Sequence, residues 1–374
     1  MTVLGTSVDR VRARMLQEAR VDVLVATSYE GVAYLTGSVI TTQRDIPARI
    51  SAAIIPAAGE PTFVVCDIEE LYVRASCRVR DIRPYVEFAQ SPTRMIADVL
   101  EEKGLSRARV GLEFRALCAH YYCQLTSLLP EASFEPIDTT LDKVKALKTP
   151  EEVELLGRAA LDTDEAIRFA YESAKPGMPD RQVAETFAHR LWTGRADSVA
   201  FVDLGAGPTA CLAHPIPSER PMEVGDVLRC DVGGYYSGYY SDLARTAVVG
   251  KATPDQRDRY RKVWEVHEEV IAAARPGVLA KVLFFTCQRA FAKRGLELRF
   301  PHCGHSLGYG LHEQPLIEPY NDTPLEEGMT IAFEMVHTVP GGPVFQDEDL
   351  VLITREGGKP LSRSADWSEV LVVG

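Results

Sequence analysis

The sequence predicts two domains: an α/β domain with a mixed sheet over residues 1–145, then an α+β domain with an internal duplication over residues 146–374. Three observations carry this. A chain of 374 residues with 46% apolar content exceeds one ordinary core. Its first part interleaves short apolar runs with helical stretches, whereas the rest holds long helical patterns followed by hairpin-like strands. Within that second part, short patterns recur about a hundred residues apart.

The elements follow in order. The start, MTVLGTSVDRVRARMLQEARVDVLVA, is an amphipathic helix running into a strand. The apolar runs VDVLVATS, VAYLTG, ISAAIIP, PTFVVC and VGLEF follow, separated by turn signals, with helices near SPTRMIADVLEEKGL and ALCAHYYCQLTSLL. The domain boundary lies before a long helix: Thr149 is its N-cap, Pro150 its first residue, and Glu152 completes a capping box. Thr253, Pro254 and Gln256 repeat that signal. Lys175-Pro176-Gly177 is echoed by Arg275-Pro276-Gly277, and EVGDVLRCD (223–231) by EEGMTIAFE (326–334), each with a Gly six residues before an acid on a strand. A pseudo-twofold axis relating such units brings Asp231 and Glu334 together at the domain centre.

The acids are the chemical signal. In CDVGGYYSGYYSDLARTAVVG (230–250), a hairpin closed around Tyr236, Ser237 and Gly238 is expected to set Asp231 directly opposite Asp242. Two carboxylates about 5 Å apart repel by roughly 3 kcal/mol at an effective dielectric of about 20, so a cation is expected between them. A second hairpin carries Glu334 and Glu348 on its two arms, around Pro340, Gly341, Gly342 and Pro343. Between the hairpins lies FPHCGHSLGYGLHEQP, with His302, His305 and His312 in a Gly-rich stretch. Four carboxylates carry the charge that two divalent cations neutralise. Oxygen-rich donors with one imidazole suit Mn²⁺, Co²⁺, Fe²⁺ or Zn²⁺. Two such ions can hold a bridging hydroxide and polarise a carbonyl, which implies hydrolysis.

These residues resemble the pita-bread metallopeptidases, the family of prolidase, aminopeptidase P and methionine aminopeptidase. The likeness rests on DVGGYYSGYYSDLART, GHSLGYGLHEQP, the FE of IAFEMV and EDLVLIT, with acid-to-acid spacings of eleven and fourteen and a His-to-Glu spacing of twenty-nine. It implies that Asp231, Asp242, His305, Glu334 and Glu348 hold two metal ions, with Mn²⁺ or Co²⁺ favoured, and that Glu334 accepts the proton of the metal-bound water. It also implies that His214 contacts the substrate and the developing oxyanion and that His312 is the other active-site histidine. The N-terminal half is similar to the creatinase-type domain, which argues against a methionine aminopeptidase. The implied activity is hydrolysis of Xaa-Pro bonds in dipeptides or short peptides by a homodimer, and Arg44 and Arg49 are candidates to reach a neighbouring subunit's site. The alternative is a non-peptide C–N hydrolase resembling creatinase or ectoine hydrolase. Two departures bear on substrate: Gln346 stands where the family usually has arginine, and Pro301 where it often has histidine, with His302 one residue later.

Other classes are set aside. A net charge of −12 without a basic block argues against nucleic acid. No apolar stretch reads as a membrane span, and the N-terminus lacks the features of a secretory signal, so a cytoplasmic protein is expected. The eight cysteines lack CxxC spacing and read as small buried apolar residues. GHSLG (304–308) matches a serine-hydrolase elbow, but Gly and Pro follow where that motif needs a helix. GAG (205–207) reads as the loop delivering His214 rather than a dinucleotide site.

Overall fold

The computed structural model describes residues 3–46 and 48–374, which form two compact units, Met1–Lys145 and Ala146–Gly374. In the first unit, strands β1 (Val23–Ala26), β2 (Ala52–Pro56), β3 (Thr62–Cys66), β4 (Asp81–Tyr85), β5 (Arg109–Leu112) and β6 (Ser133–Pro136) form one sheet ordered β4-β3-β2-β1-β5-β6. The β1–β2 and β2–β3 pairs are antiparallel, and the remaining pairs are parallel. The sheet is therefore mixed. Val23, Val25, Ile54, Val64 and Val110 pack in a core with Ile96 and Leu100 of the Pro92–Glu102 helix.

VAYLTG departs from the strands around it and belongs to the helix Tyr29–Thr36. Ser28 caps that helix by accepting from Gly31 N at 2.8 Å, and Gly37 ends it at φ +76°. The buried Glu113 carboxylate accepts from Thr27 N (2.6 Å) and Ser28 N (2.8 Å), so tertiary capping overrides the β-preference of Val and Tyr. Strands β4 and β6 lie at the sheet edges and carry prolines, so their sequences lack an apolar run. Arg49 pairs with Glu87 and Arg44 with Asp45, all within this unit.

The second unit repeats itself. Capping boxes at Thr149 and Thr253 open the helices Pro150–Ser173 and Pro254–Ala273. Each is followed by a shorter helix, Asp180–Trp192 or Ala280–Lys293. The two halves also share backbone bonds: Gly177 N donates to Met222 O and Gly277 N to Leu325 O, each at 2.8 Å, while Gly225 N donates to Val249 O and Gly328 N to Ile353 O. All four glycines have φ between 84° and 94°, the left-handed conformation that these turns require.

Strands β7 (Ser198–Ala206), β8 (Val227–Tyr236), β9 (Tyr239–Tyr240) and β10 (Leu243–Val249) belong to the first half. Strands β11 (His305–Ser306), β12 (Glu313–Leu316), β13 (Thr330–Thr338), β14 (Val344–Thr354) and β15 (Gly357–Pro360) make a second sheet, while β16 (Leu371–Val373) returns to pair with β10. The sheets meet where the Thr246 hydroxyl of β10 donates to Gln346 O (2.8 Å) and accepts from Gln346 N (3.0 Å) on β14. One core lies under the first-half helices with Leu228, Cys230 and Val232, the other under the second-half helices with Ile331, Phe333 and Phe345. Four of the cysteines are buried as expected, but Cys118, Cys123 and Cys211 are exposed and Cys77 is intermediate.

The first hairpin corrects the expected pairing. Its two-residue turn is Ser237-Gly238 (φ 53° and 85°), so Tyr236 pairs with Tyr239 and Asp231 with Ala244, not with Asp242. A turn centred one residue further along displaces the partner by two. The side-chain period of two keeps Asp242 on the same face, diagonal to Asp231. The Ser241–Asp242 segment lies against Gly233, where a Cβ would stand 2.0 Å from Ser241 O. Gly233→Ala is therefore expected to destabilise the chain by about 1–3 kcal/mol, read as a lowered urea midpoint, and to lower bound metal by displacing Asp242.

Candidate metal centre and active site

The strands deliver the acids to one cavity of about 440 Å³. Asp231 sits in β8, Asp242 immediately before β10, Glu334 in β13 and Glu348 in β14. Glu334 and Glu348 are direct cross-strand partners, so the second hairpin does set two carboxylates opposite each other. His305 enters on β11, where Gly304 at φ +150° lets the chain approach closely; a Cβ there would lie 2.5 Å from Ala332 O. His305 Nδ1 donates to Ser306 O at 3.0 Å, which leaves Nε2 with its lone pair 3.4 Å from Asp242 Oδ2 and 4.0 Å from Glu334 Oε1.

His302 lies on the same wall, its Nδ1 3.0 Å from Glu334 Oε1. His312 is exposed and stacks on His305 with ring centroids 3.8 Å apart. His214 also lines the cavity, on the loop after the short helical turn Gly207–Cys211 that GAG begins. All seven expected residues thus face one space. Ser306 is buried, hydrogen-bonded by Lys148 Nζ at 3.2 Å, and no helix follows it. Lys148 also reaches Glu313 Oε2 (3.3 Å), while Glu313 Oε1 accepts from Gly310 N, bracing the loop between His305 and His312.

The electrostatics call for cations. Burial, then Asp231 and Glu334, push the Asp242 carboxyl well above its ordinary pKa. Glu348 is raised in the same way by burial and by Asp242, Asp231 and Glu334. Glu334 is raised by burial against the opposing pull of His302. Burial, followed by His312, lowers His305 to about 3, so it is a neutral donor. Glu348 Oε1 is buried and has no hydrogen-bond partner. Asp231, Asp242 and Glu348 offer oxygens within 4.8 Å of one another, as Asp242, His305 and His312 offer one atom each. Crowded hard donors, one of them orphaned, fit divalent cations.

Three site features escaped the sequence. Asp203 of β7 is the direct partner of Asp231 and lines the cavity. Its pKa is raised by burial and then by Asp231. Arg229, buried, donates to Gln346 Oε1 and to the carbonyls of Leu212 (2.8 Å) and Ala213 (2.6 Å), while Gln346 Nε2 donates to Asp231 Oδ2 at 3.0 Å. The third feature is the Lys148–Glu313 brace. Beneath all of these, buried Arg245 pairs with Asp164 (2.8 Å), Asp349 (2.8 Å) and Asp347 (3.4 Å), and donates to Glu348 O.

The raised carboxyls have a sign consequence for the metal-free chain. The folded state holds protons that the unfolded state has released, so stability falls as pH rises towards the raised native pKa values. Below about 6.5 the depressed His305 opposes this, since the unfolded imidazole then takes up the proton. Urea unfolding of chelator-treated protein is expected to show a midpoint that declines as pH rises above about 6.5, and a flatter profile with Mn²⁺ added.

Comparison with known proteins agrees with this architecture. Residues 154–355 match the model of metallopeptidase family M24, and residues 8–146 match the creatinase/prolidase N-terminal domain. The Xaa-Pro dipeptidase of Pyrococcus furiosus is 34% identical over 233 residues, 62% of this chain and 67% of that protein. The uncharacterised peptidase YqhT of Bacillus subtilis is 27% identical over 92% of this chain and 94% of its own length. Among solved structures, dipeptidase PepE of Mycobacterium ulcerans superposes with a TM-score of 0.86 at 29% identity, covering 99% of this chain and 98% of that one. The Xaa-Pro dipeptidase of Bacillus anthracis shares the fold, with a TM-score of 0.87 at 23% identity and 99% of each chain covered. Within the described residues no helix is long and apolar enough to cross a membrane. With a matching catalytic-domain model over more than half its length and the acids of its two hairpins gathered in one cavity, the chain belongs to metallopeptidase family M24.

Proposed function

We propose that this chain hydrolyses Xaa-Pro bonds in dipeptides or short peptides, with residues 146–374 as the catalytic domain and 1–145 as a creatinase-like domain. In this reading Asp231, Asp242, His305, Glu334 and Glu348 hold two divalent cations. The observation that carries it is the convergence of these five side chains with His214 and His312 on one cavity of about 440 Å³, a volume suited to a small ligand. Relatives named as Xaa-Pro dipeptidases support the same substrate class.

The donor set, carboxylate oxygens with one imidazole, favours Mn²⁺ or Co²⁺. Bound there, such cations polarise a carbonyl and acidify water. The chain's own residues do the rest. Glu334 takes the proton of the attacking water, its carboxylate oriented by His302 at 3.0 Å. His214 and His312 donate hydrogen bonds to the substrate carbonyl oxygen as negative charge develops. His305 is held by its bond to Ser306 O and keeps Nε2 free for the metal.

A second reading, a non-peptide C–N hydrolase of creatinase or ectoine hydrolase type, draws on one observation. Among the described residues that line the cavity Arg229 is the only Lys or Arg, and its guanidinium already donates to Gln346 and two backbone carbonyls rather than standing ready for a dipeptide carboxylate.

Metal-stripped protein given back Mn²⁺, Co²⁺ or Zn²⁺ and assayed on Ala-Pro, Met-Pro, Ala-Pro-Ala and Ala-Ala separates these readings. Metal-dependent cleavage of the proline peptides alone is expected, and silence across the panel with metal bound favours the non-peptide amide. Asp242→Asn is expected to lower bound metal and to cut kcat/KM by more than about 100-fold; undiminished turnover in that variant refutes the site assignment.

A further inference from the structure

Asp203 carries a charge that the site, as built from the family likeness, does not use. It stands on β7 directly across from Asp231, in the wall that also holds His214. Among the described residues its carboxylate takes no hydrogen bond and no ion pair. The permanent cation in the wall, Arg229, donates to Gln346, Leu212 O and Ala213 O, and although it and His214 attract Asp203, neither bonds to it. Gln346 in turn gives its amide to Asp231, not to Asp203. A half-buried carboxylate beside another acid is costly unless a cation meets it.

The position says which cation. Asp203 lies on β7, the edge strand of its sheet, one strand outward from Asp231 on β8, and both line the cavity. Directly paired side chains on one face of a sheet stand about 5 Å apart, so a ligand group that meets Asp203 while its carbonyl lies beside Asp231 is attached close to that carbonyl. In an α-amino acyl substrate that group is the α-ammonium.

We propose that Asp203 binds the free α-ammonium of the substrate and selects for unblocked N-termini. This rests on the peptidase reading above. The test compares Ala-Pro with lactoyl-proline, in which a hydroxyl replaces the ammonium, on Mn²⁺-loaded wild type, Asp203→Asn and Asp203→Glu, with bound manganese per chain measured for each.

Wild type is expected to prefer Ala-Pro. In Asp203→Asn that preference falls at least tenfold, through KM, with manganese content unchanged, and Asp203→Glu retains most of it. Equal losses on both substrates, or lost manganese in Asp203→Asn, overturn the inference and make Asp203 part of the metal cage, leaving the peptidase reading intact. No cleavage of either substrate by metal-loaded wild type overturns both together.

Discussion

The repulsion among buried carboxylates is the constraint on which the second unit depends. Asp203, Asp231, Asp242, Glu334 and Glu348 all line one cavity, and burial raises the pKa of four of them. Each neighbouring pair at about 5 Å opposes folding by roughly 3 kcal/mol at an effective dielectric of about 20. Such a cluster survives only if the backbone leaves it no room to spread. Pairing across two hairpins supplies that rigidity, and glycines at 233 and 304 permit the close approaches that Asp242 and His305 need. Cations bound there would turn the repulsion into attraction, so the crowding that weakens the bare chain suits a metal site.

Strand β14 shows how the cluster is supported. In the run Gln346-Asp347-Glu348-Asp349 all four residues are buried, and their side chains alternate between two environments. Gln346 and Glu348 face the cavity. Asp347 and Asp349 face Arg245, with His267 Nδ1 2.7 Å from Asp347 and Arg363 2.6 Å from Asp349. Breaking a buried pair of this kind typically costs about 3–5 kcal/mol, because the remaining charge is stranded. Asp349 is accordingly held far below the usual carboxylate range by Arg245 against the cost of burial. Arg245 thus anchors the back of the strand, including the carbonyl of Glu348, whose side chain faces the cavity.

Much of this was legible in the sequence because it is periodic or punctuated. Capping boxes at Thr149 and Thr253, the repeated Gly-to-acid spacing and the acids on both hairpins need only local rules. What the sequence hid depends on long-range register. The pairing of Asp203 with Asp231 spans a loop whose length fixes no register. Nothing local marks Arg229, a residue inside β8 whose guanidinium meets Gln346 from the other half. The Lys148–Glu313 pair joins residues 165 apart, and no local pattern foretells it. VAYLTG misled because its apolar residues suit strand and helix alike, and a distant carboxylate, Glu113, decides between them.

Gln346 and Arg229 show that the two halves are coupled at the site rather than merely alike. Gln346 belongs to β14 and Arg229 to β8, so their bond crosses the pseudo-twofold interface. Arg229 can only donate, so it fixes the Gln346 amide with its oxygen towards the guanidinium and its NH₂ towards Asp231. The same guanidinium holds the carbonyls of Leu212 and Ala213, the residues that lead into His214. One buried cation therefore fixes both the amide that meets Asp231 and the loop that leads into His214. Where an arginine at 346 would bring charge directly to Asp231, this chain delivers it through a neutral amide and uses the charge to tether a loop. Among the described residues the cavity wall thereby holds one carboxylate, Asp203, that takes no hydrogen bond, while its arginine is bonded to an amide and two carbonyls, a polarity that favours a ligand's cationic end over its anionic one.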